Sequence, residues 1–488
     1  MTIDQPISSI RSRNSLLAAT LSVVAALLLL AISRVEPTML GLYITVAVMA
    51  VACFLPAWIG FIRGNLDYFE FIHPFGLIYF LNFGAGSIWV MHDPGIAYDI
   101  HLLPYIPKAA FYALLGYLAF LAGYYGPLSG KLGGDRKRQH WIPKGPQFFV
   151  ALGGIGLLGF LVWAEVFRSR YVGASALSGL TSLLGQLSFL FILAWGLINL
   201  IILSGKATRS QKYAYFAFMI PATMLIAQAY VSRKQTTITL VLVPLVAFWY
   251  ARRKVPWAFL IALFLILVFV LFPLYNAVRF QDWSLSVGER LSETFDTMQN
   301  WDGDEYMDRS VGSLQSRLAL VNSLAVVLRD VGRWVPYQKG ESYLMAPAII
   351  LIPRIVWPDK PELSIGLEFG YRFRVVHATD TLTSIAPSLP GELYWEADLP
   401  GILIGMALIG LGTRWFYRRF AYGTPTMSLD RGIYILLLMR TMVIEGALLA
   451  EFAGMIKVLL LLALLKWGCR KMGWLQPARA AASPEPAA

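Results

Sequence analysis

Apolar segments long enough to cross a lipid bilayer recur along this sequence from residue 15 to residue 468. A helix that crosses the hydrocarbon core needs about 20 apolar residues, and a chain built from many such segments cannot fold around one soluble core. Of the 488 residues, 57% are hydrophobic and 14% are charged, whereas soluble domains carry roughly 25% charged residues. We therefore predict an all-α, polytopic integral membrane protein.

About twelve transmembrane helices are predicted, and flanking residues must extend the shorter ones. The apolar segments cover residues 15–32, 40–62, 74–91, 109–127, 147–167, 187–204, 213–231, 236–251, 255–275, 401–415, 432–444 and 452–468. The predicted organisation is helices 1–9 in residues 1–275, one large loop at 276–400, helices 10–12 in 401–475 and a disordered tail at 476–488.

Lys and Arg residues form short clusters between the apolar segments. Short cytoplasmic loops carry an excess of these residues, so the clusters indicate orientation. With twelve spans, every cluster falls on one side, near residues 11–13, 131–144, 206–212, 252–254, 414–431 and 466–471. Both termini are predicted to be cytoplasmic, and segments 33–39, 92–108, 168–186 and 276–400 to face outward. In a bacterium this describes a multi-pass inner-membrane protein with its large loop in the periplasm.

Residues 432–468 allow two topologies. Arg440, Glu445, Glu451 and Lys457 interrupt an apolar stretch that we interpret as two helices. One long tilted helix would instead place the C-terminus outside, and the positive charge at residues 466–471 argues against it.

Several classes of chemistry are excluded. The net charge of +12 does not indicate nucleic-acid binding, because the basic residues lie between apolar segments rather than along one face. Cys53 and Cys469 are far apart in sequence and form no CxxC motif. The sequence has no HExxH, GxSxG or P-loop motif, and its five histidines are scattered. We predict no metal and no cofactor.

The large loop has internal structure. Residues 281–309 are polar and acidic, whereas 316–329 show a helical pattern of Leu, Val and Ala that Arg317 is predicted to open. Residues 344–357 form an apolar run that is too short to span and suits a re-entrant or interfacial helix.

Four arginines are predicted at the depth of the outer membrane interface: Arg233, Arg279, Arg317 and Arg354. A guanidinium group is always charged and offers planar donors that fit phosphate oxygens, so a lipid-linked phosphate is their natural partner. The alternative is that each arginine simply reaches toward lipid headgroups. Arg440, inside a predicted helix, is a further candidate that could instead pair with Glu445 or Glu451.

Two residues of the large loop are candidate general bases. His377 is the only histidine in the second half of the chain, and Asp380 or Asp398 could orient its imidazole. Glu392 stands just before the tenth helix, where a carboxylate could accept a proton, grip sugar hydroxyls or cap that helix. The alternative for His377 is an ordinary solvated histidine. Five outward tryptophans could stack on sugars or anchor the chain in the interface: Trp283, Trp301, Trp334, Trp357 and Trp395.

Three segments of the loop carry a resemblance to a known family. They read GESY at 340–343, IPRIVWPDKP at 352–361 and TSIAPSLPGELY at 383–394, followed by a helix that contains glycine. Together with the predicted topology, they resemble the bacterial oligosaccharide repeat unit polymerases, the Wzy-type O-antigen and exopolysaccharide polymerases. The stretch with Arg354, Trp357 and Lys360 is the most specific of the three.

The resemblance implies a metal-independent glycosyltransferase with a GT-C-like fold. Its donor would be a glycan linked to undecaprenyl diphosphate, transferred to the non-reducing end of a lipid-linked repeat unit. Periplasmic arginines hold the diphosphate in this family, which points to Arg233, Arg279, Arg317, Arg354 and the nearby Lys360. A flippase and a chain-length regulator of the same pathway would be partners in the membrane. His377 and Glu392 are candidates from their own chemistry rather than from the resemblance.

Two other functions remain open at this point. An O-antigen ligase would use the same donor with lipid A core as the acceptor. A flippase or transporter would move the lipid-linked glycan without covalent chemistry, but such proteins commonly show repeat symmetry between halves, and no internal repeat is evident.

Overall fold

In a computed structural model, the described residues of the chain are mostly helical. The structure describes residues 39–131, 139–171, 187–229, 234–271, 300–341, 365–377, 385–441 and 448–478, with a few single positions between them. In chain order the helices are α1 (Leu40–Ile62), α2 (Ile72–His92), α3 (Ile106–Tyr125), α4 (Pro127–Lys131), α5 (Pro146–Tyr171), α6 (Phe189–Leu203), α7 (209–229), α8 (Lys234–Arg252), α9 (257–271), α10 (Gly303–Arg317), α11 (Val321–Asp330), α12 (Ile365–Arg372), α13 (Leu389–Phe420), α14 (Leu429–Thr441) and α15 (Leu448–Lys471).

Smaller elements complete the description. Single π-helical stretches lie within three of the helices, at Phe80–Ala85 in α2, Tyr215–Met219 in α7 and Leu267–Leu271 in α9. Two 3₁₀ turns, Pro94–Ile96 and Ile100–Tyr105, lead into α3. The short strands β1 (Trp141–Pro143) and β2 (Leu475–Pro477) pair antiparallel, with Ile142 opposite Gln476.

The described parts of the predicted spans from residue 40 onward overlap with helices, whereas the first span, 15–32, lies outside the described residues. Within the described residues, five helical stretches are long and apolar enough to cross a membrane: Leu40–Ile62, Ile72–His92, Ile100–Ser129, Pro146–Glu165 and Leu389–Phe420. Shorter apolar helices occupy Phe189–Leu203, Thr236–Arg252 and Trp257–Val270. The chain therefore has the composition and helix lengths of a membrane-embedded helical protein.

Helices α14 and α15 form an antiparallel pair. Arg440 near the end of α14 faces Glu451 at the start of α15, while Asp430 at the start of α14 faces Lys466 near the end of α15. The described residues 429–441 and 448–471 are thus two antiparallel helices rather than one long tilted helix.

The strand pair corrects the predicted tail. Gln476 and Pro477 were expected to belong to a disordered segment, but they pair with β1. Backbone bonds from Lys144 to Trp474 and from Ala478 to His140 extend the pairing. The alanine and proline content of this segment predicted disorder. Composition alone cannot reveal a partner strand that lies more than 300 residues away in sequence.

The strand pair also defines one end of the bundle. β1 precedes α5, β2 follows α15, and Arg418 near the end of α13 donates to the Ser129 carbonyl at the same end. We call this the inner end. At the opposite, outer end, α11 packs on the turn before α3, since the Asn322 amide donates to the Ile96 carbonyl oxygen at 3.0 Å.

The long loop differs from its prediction at Arg317. This residue ends α10, and the chain turns at Leu318–Leu320 before α11 begins. The Leu318 carbonyl lies so close to Gly86 of α2 that a Cβ at residue 86 would overlap with it. Residues 316–329 therefore belong to the end of α10, a turn and most of α11, and Arg317 does not begin a helix. Packing of the turn on α2 is a contact that the local pattern does not encode.

Helices α3 and α13 approach each other most closely through glycine. A Cβ on Gly123 would overlap with the Ala407 carbonyl, and one on Gly410 would overlap with the Phe120 carbonyl. Small residues let membrane helices approach until their backbones touch.

Asp430 joins the elements of the inner end. Its buried carboxylate lies 2.8 Å from His140 Nδ1, 3.6 Å from Lys466 Nζ and 3.8 Å from Arg419 Nη1. One carboxylate thus connects the residue before β1, the end of α13 and both helices of the antiparallel pair.

We expect Asp430→Asn to lower the free energy of unfolding by roughly 3 kcal/mol, because removing one partner leaves the cations around it without a counter-charge. Thermal melting of the purified protein measures this. Glu341→Gln, at an exposed acid of the outer end, is the control and should melt with the wild type. An Asp430→Asn melting temperature equal to that of the control would contradict the assigned role.

Candidate functional site

Helix α13 is broken near the outer end. Ala397 and Asp398 leave helical geometry, and Asp398 has a φ of 57°. The first segment, 389–396, begins after Ser388, whose hydroxyl accepts the Gly391 amide hydrogen at 3.3 Å. Gly401 then lies so close to the Leu393 carbonyl that no side chain would fit. The kink at this point packs the short helix closely against the start of the span that follows it.

Backbone groups from another segment close the end of this short helix. Gln338 N donates to the Trp395 carbonyl at 3.0 Å, and Lys339 N donates to the Glu396 carbonyl at 2.9 Å. Gly340 N donates to the Glu396 carboxylate, also at 2.9 Å. The last carbonyls of a helix lack partners within it, so residues 338–340 stabilise the break by supplying them.

Glu392 lies at the centre of this arrangement with 1% of its surface exposed. One carboxylate oxygen accepts from Tyr343 Oη at 3.3 Å, and the other accepts from Leu448 N at 2.7 Å. An acid at a helix N-terminus is favourable, and here it caps α15 rather than its own helix. Burial, with Glu392 and Glu396 nearby, raises the pKa of Tyr343 far above its ordinary value, so its hydroxyl remains a donor.

Aromatic rings and a guanidinium group pack beside the short helix, and we call this surface the aromatic shelf (Trp334, Phe373, Arg374 and Trp395). Arg374 lies over the Trp334 ring at 4.9 Å, and Phe373 packs edge-on against Trp395 at 5.0 Å. Trp334 is 47% exposed, whereas Trp395 is 1% exposed and donates to the Pro336 carbonyl. Of these two tryptophans, Trp334 can meet a sugar ring and Trp395 belongs to the core. His377 follows this shelf and is exposed.

A cavity of about 270 Å³ lies between α5, α6, α8, α14 and α15. Its position is the outer end of these helices, since Ser188 precedes α6, Thr236 is in the first turn of α8 and Glu451 is in the first turn of α15. Phe160, Trp163 and Met439 contribute apolar and aromatic walls. An apolar pocket with a few convergent polar groups is the usual form of a ligand site.

Arg440 is the charged group of this cavity. Its Nε lies 3.8 Å from the Glu451 carboxylate, at the outer limit of an ion pair. Gly454 leaves space for the guanidinium against α15, because a Cβ there would come within 2.7 Å of Arg440 Nη2. An arginine inside a membrane helix is costly and commonly marks a substrate site. The pairing of Arg440 with Glu451 agrees with one of the two partners expected from the sequence.

The other predicted site residues divide into two groups. Arg317 is half-buried at the end of α10, and the described contacts do not bring it to His377, Glu392 or the cavity. Outside the described residues lie Arg233, Arg279, Arg354 and Lys360. Arg233 precedes in sequence the helix whose Thr236 and Thr239 line the cavity.

The sequence did not predict which residues close the broken helix with backbone hydrogen bonds, or which threonines line the cavity. Gln338 and Lys339 close the broken helix through their backbone amides, yet nothing in their local sequence marks them. Tyr343 stood in the GESY segment, but no role was assigned to it. Thr236 and Thr239 lie one turn apart on an otherwise apolar helix, and this spacing is a signal that could have identified them.

Among the described residues, no group of three or more His, Cys, Asp or Glu side chains is arranged to hold a metal ion. The model of a family described as a domain of unknown function (DUF8712) matches residues 153–421, more than half of the chain. No curated protein and no solved structure matches the chain. The family match includes α6, α8 and the broken helix, and it ends before Arg440 and Glu451.

Proposed function

The chain belongs to the DUF8712 family, and we propose that this member is a metal-independent glycosyltransferase of the bacterial inner membrane. It polymerises polysaccharide by moving a growing glycan from undecaprenyl diphosphate to a lipid-linked repeat unit at the periplasmic face. An O-antigen or an exopolysaccharide would be the product.

The observation that carries this proposal is the position of Arg440 in a cavity among membrane helices. The cavity lies at the end opposite the described basic clusters. In our proposal this end faces the periplasm, because short cytoplasmic loops carry the excess of Lys and Arg. The apolar walls of the cavity suit a lipid carrier, while Arg440 offers donors to phosphate oxygens. The Glu451 carboxylate would pair with the Arg440 guanidinium until the diphosphate of the donor replaces it. Arg233, just before α8 in sequence, would supply a second cation.

In the proposed reaction, a hydroxyl oxygen of the acceptor sugar bonds to the anomeric carbon of the donor glycan. The bond from that carbon to the diphosphate oxygen breaks, and the lipid diphosphate leaves with both electrons. Fixed guanidinium groups stabilise the charge that develops on the leaving group, and electrostatic stabilisation of this kind usually contributes most to the rate acceleration in an active site. The hydroxyl proton passes to a general base.

His377 fits the role of base better than Glu392. Both oxygens of Glu392 already accept hydrogen bonds inside the protein. We therefore assign Glu392 a positioning role, in which it joins the broken helix to the start of α15. His377 is exposed beyond the aromatic shelf, where Trp334 would stack on the acceptor sugar.

We expect His377→Ala to reduce polymer formation about a hundredfold without changing the melting temperature, because general bases contribute on that scale. His101→Ala is the matched control, an exposed histidine of the same end, and should leave polymer formation unchanged. Gel analysis of extracted polysaccharide measures both variants. If the two behaved alike, His377 would not be the base.

Deletion of the gene in its native host tests the proposed activity. We expect loss of the polymer with accumulation of single repeat units. Polymer accumulating on the lipid carrier would instead indicate a ligase, and single repeats trapped at the cytoplasmic face would indicate a flippase. Either of those results would contradict the polymerase.

A further inference from the structure

Arg431 is a buried cation at the inner end of the bundle, far from the cavity of Arg440. It lies in the first turn of α14 with 4% of its surface exposed. Its Nη2 donates to the Thr424 carbonyl at 2.9 Å, whereas its Nε is buried without a hydrogen-bond partner. Among the described residues, no carboxylate lies within 4 Å of its guanidinium, so its charge is uncompensated by an ion pair.

The surroundings of Arg431 make this charge more costly. A helix N-terminus carries a partial positive charge, which disfavours a cation in the first turn. The adjacent Asp430 is engaged by His140, Lys466 and Arg419. A guanidinium group cannot lose its proton in a protein, so it cannot escape the cost of burial by becoming neutral.

Asp67 lies at the hydroxyl end of Tyr250, the ring that Arg431 covers. Arg431 lies over the Tyr250 ring at 4.2 Å, and the hydroxyl of that ring donates to Asp67 at 3.2 Å. Asp67 also accepts from Trp249 and Tyr417. Its oxygens are therefore satisfied by neutral donors and do not pair with Arg431.

A second arginine shares the same ring. Arg253 follows α8 with a φ of 54°, and its guanidinium lies 5.5 Å from the centre of the Tyr250 ring. This residue is exposed, and no ion pair engages it among the described residues. Two guanidinium groups therefore lie near the Tyr250 ring, one buried and one at the surface. Among the described residues, neither forms an ion pair with a carboxylate.

We propose that this inner end binds a phosphate-bearing anion between the turn after α8 and the start of α14. Arg431 would hold the phosphate through its unpaired Nε, and Arg253 would contact it from the surface. Paired guanidinium groups are donors that proteins commonly use to bind phosphate. The phosphate belongs either to an anionic lipid headgroup of the inner leaflet or to a soluble phosphate compound.

Thermal melting of the purified full-length protein distinguishes a soluble phosphate compound from a lipid headgroup as the ligand. One arm compares inorganic phosphate with chloride at equal ionic strength in neutral detergent. The other arm compares nanodiscs of phosphatidylglycerol with nanodiscs of phosphatidylcholine. Stabilisation by inorganic phosphate would assign a soluble ligand, and stabilisation by phosphatidylglycerol alone would assign a lipid headgroup.

The expected result is that Arg431→Gln and Arg253→Gln each weaken the stabilising ligand at least about tenfold, since each removes charge-assisted hydrogen bonds. Arg209→Gln is the control, an exposed arginine of the same end outside this cluster, and should respond as the wild type does. If neither phosphate nor phosphatidylglycerol stabilises the wild type, the proposal is overturned. Should Arg431→Gln fail to fold, Arg253→Gln decides, because a wild-type response from this exposed position would also overturn it.

Discussion

Arg440→Gln is expected to reduce polysaccharide formation about a thousandfold while the protein remains in the membrane at its normal level. Removing one fixed donor from a site that stabilises developing charge typically costs a factor of about 100 to 1,000. In the proposed reaction, Arg440 faces the leaving diphosphate from the end of α14. Gln keeps most of the side-chain length and removes the charge, so packing against Gly454 is largely retained.

Two further variants show whether geometry or charge matters at this position. Arg440→Lys keeps the charge but loses the planar pair of donors, and we expect intermediate activity. Lys457→Gln is the matched control, because Lys457 is a half-buried cation of α15 that does not line the cavity. If Arg440→Gln and Lys457→Gln lost equal activity, any charge change in this helix pair would disable the protein. That result would contradict the proposed role of Arg440 in binding phosphate.

The second large effect is structural. Gly410→Ala is expected to lower the free energy of unfolding by about 3 kcal/mol, the upper end of the usual cost of overpacking a tight core. A methyl group at residue 410 would overlap with the Phe120 carbonyl of α3, and backbone cannot give way as a side chain does. The yield of monodisperse protein in detergent and its melting temperature measure the effect.

Gly412 provides an unusually close control. It lies two residues from Gly410 in the same helix, but a Cβ there would meet no atom within 4 Å. Gly412→Ala should therefore melt with or slightly above the wild type, since alanine favours helix more than glycine does. Similar melting of the two variants would contradict the close approach of α3 and α13.

The broad architecture follows from sequence because hydrophobic length is a local property. Residues 40–62, for example, were predicted as a span and form α1 with the same bounds. Basic clusters also placed residues 131–144 and 466–471 on one side, and the pairing of β1 with β2 brings these segments to the same end. Both predictions use information that lies within some 20 consecutive residues.

Features that depend on distant contacts were not predictable. The break at Ala397–Asp398 is stabilised by the backbone of residues 338–340, which no local pattern links to it. Glu392 was expected at the start of its own helix, and it does occupy the first turn, but its carboxylate caps α15 instead. Arg440 was recognised as a charge within a helix, whereas the cavity around it arises only when five helices pack together.

Chain growth by the purified protein tests the central claim most directly. The full-length protein in detergent, with a synthetic repeat unit on undecaprenyl diphosphate and with EDTA present, should form products of two or more repeats. Arg440→Gln protein should form them about a thousandfold more slowly. If the wild type bound the lipid-linked repeat but left every glycan as a single repeat, this chain would not be a polymerase.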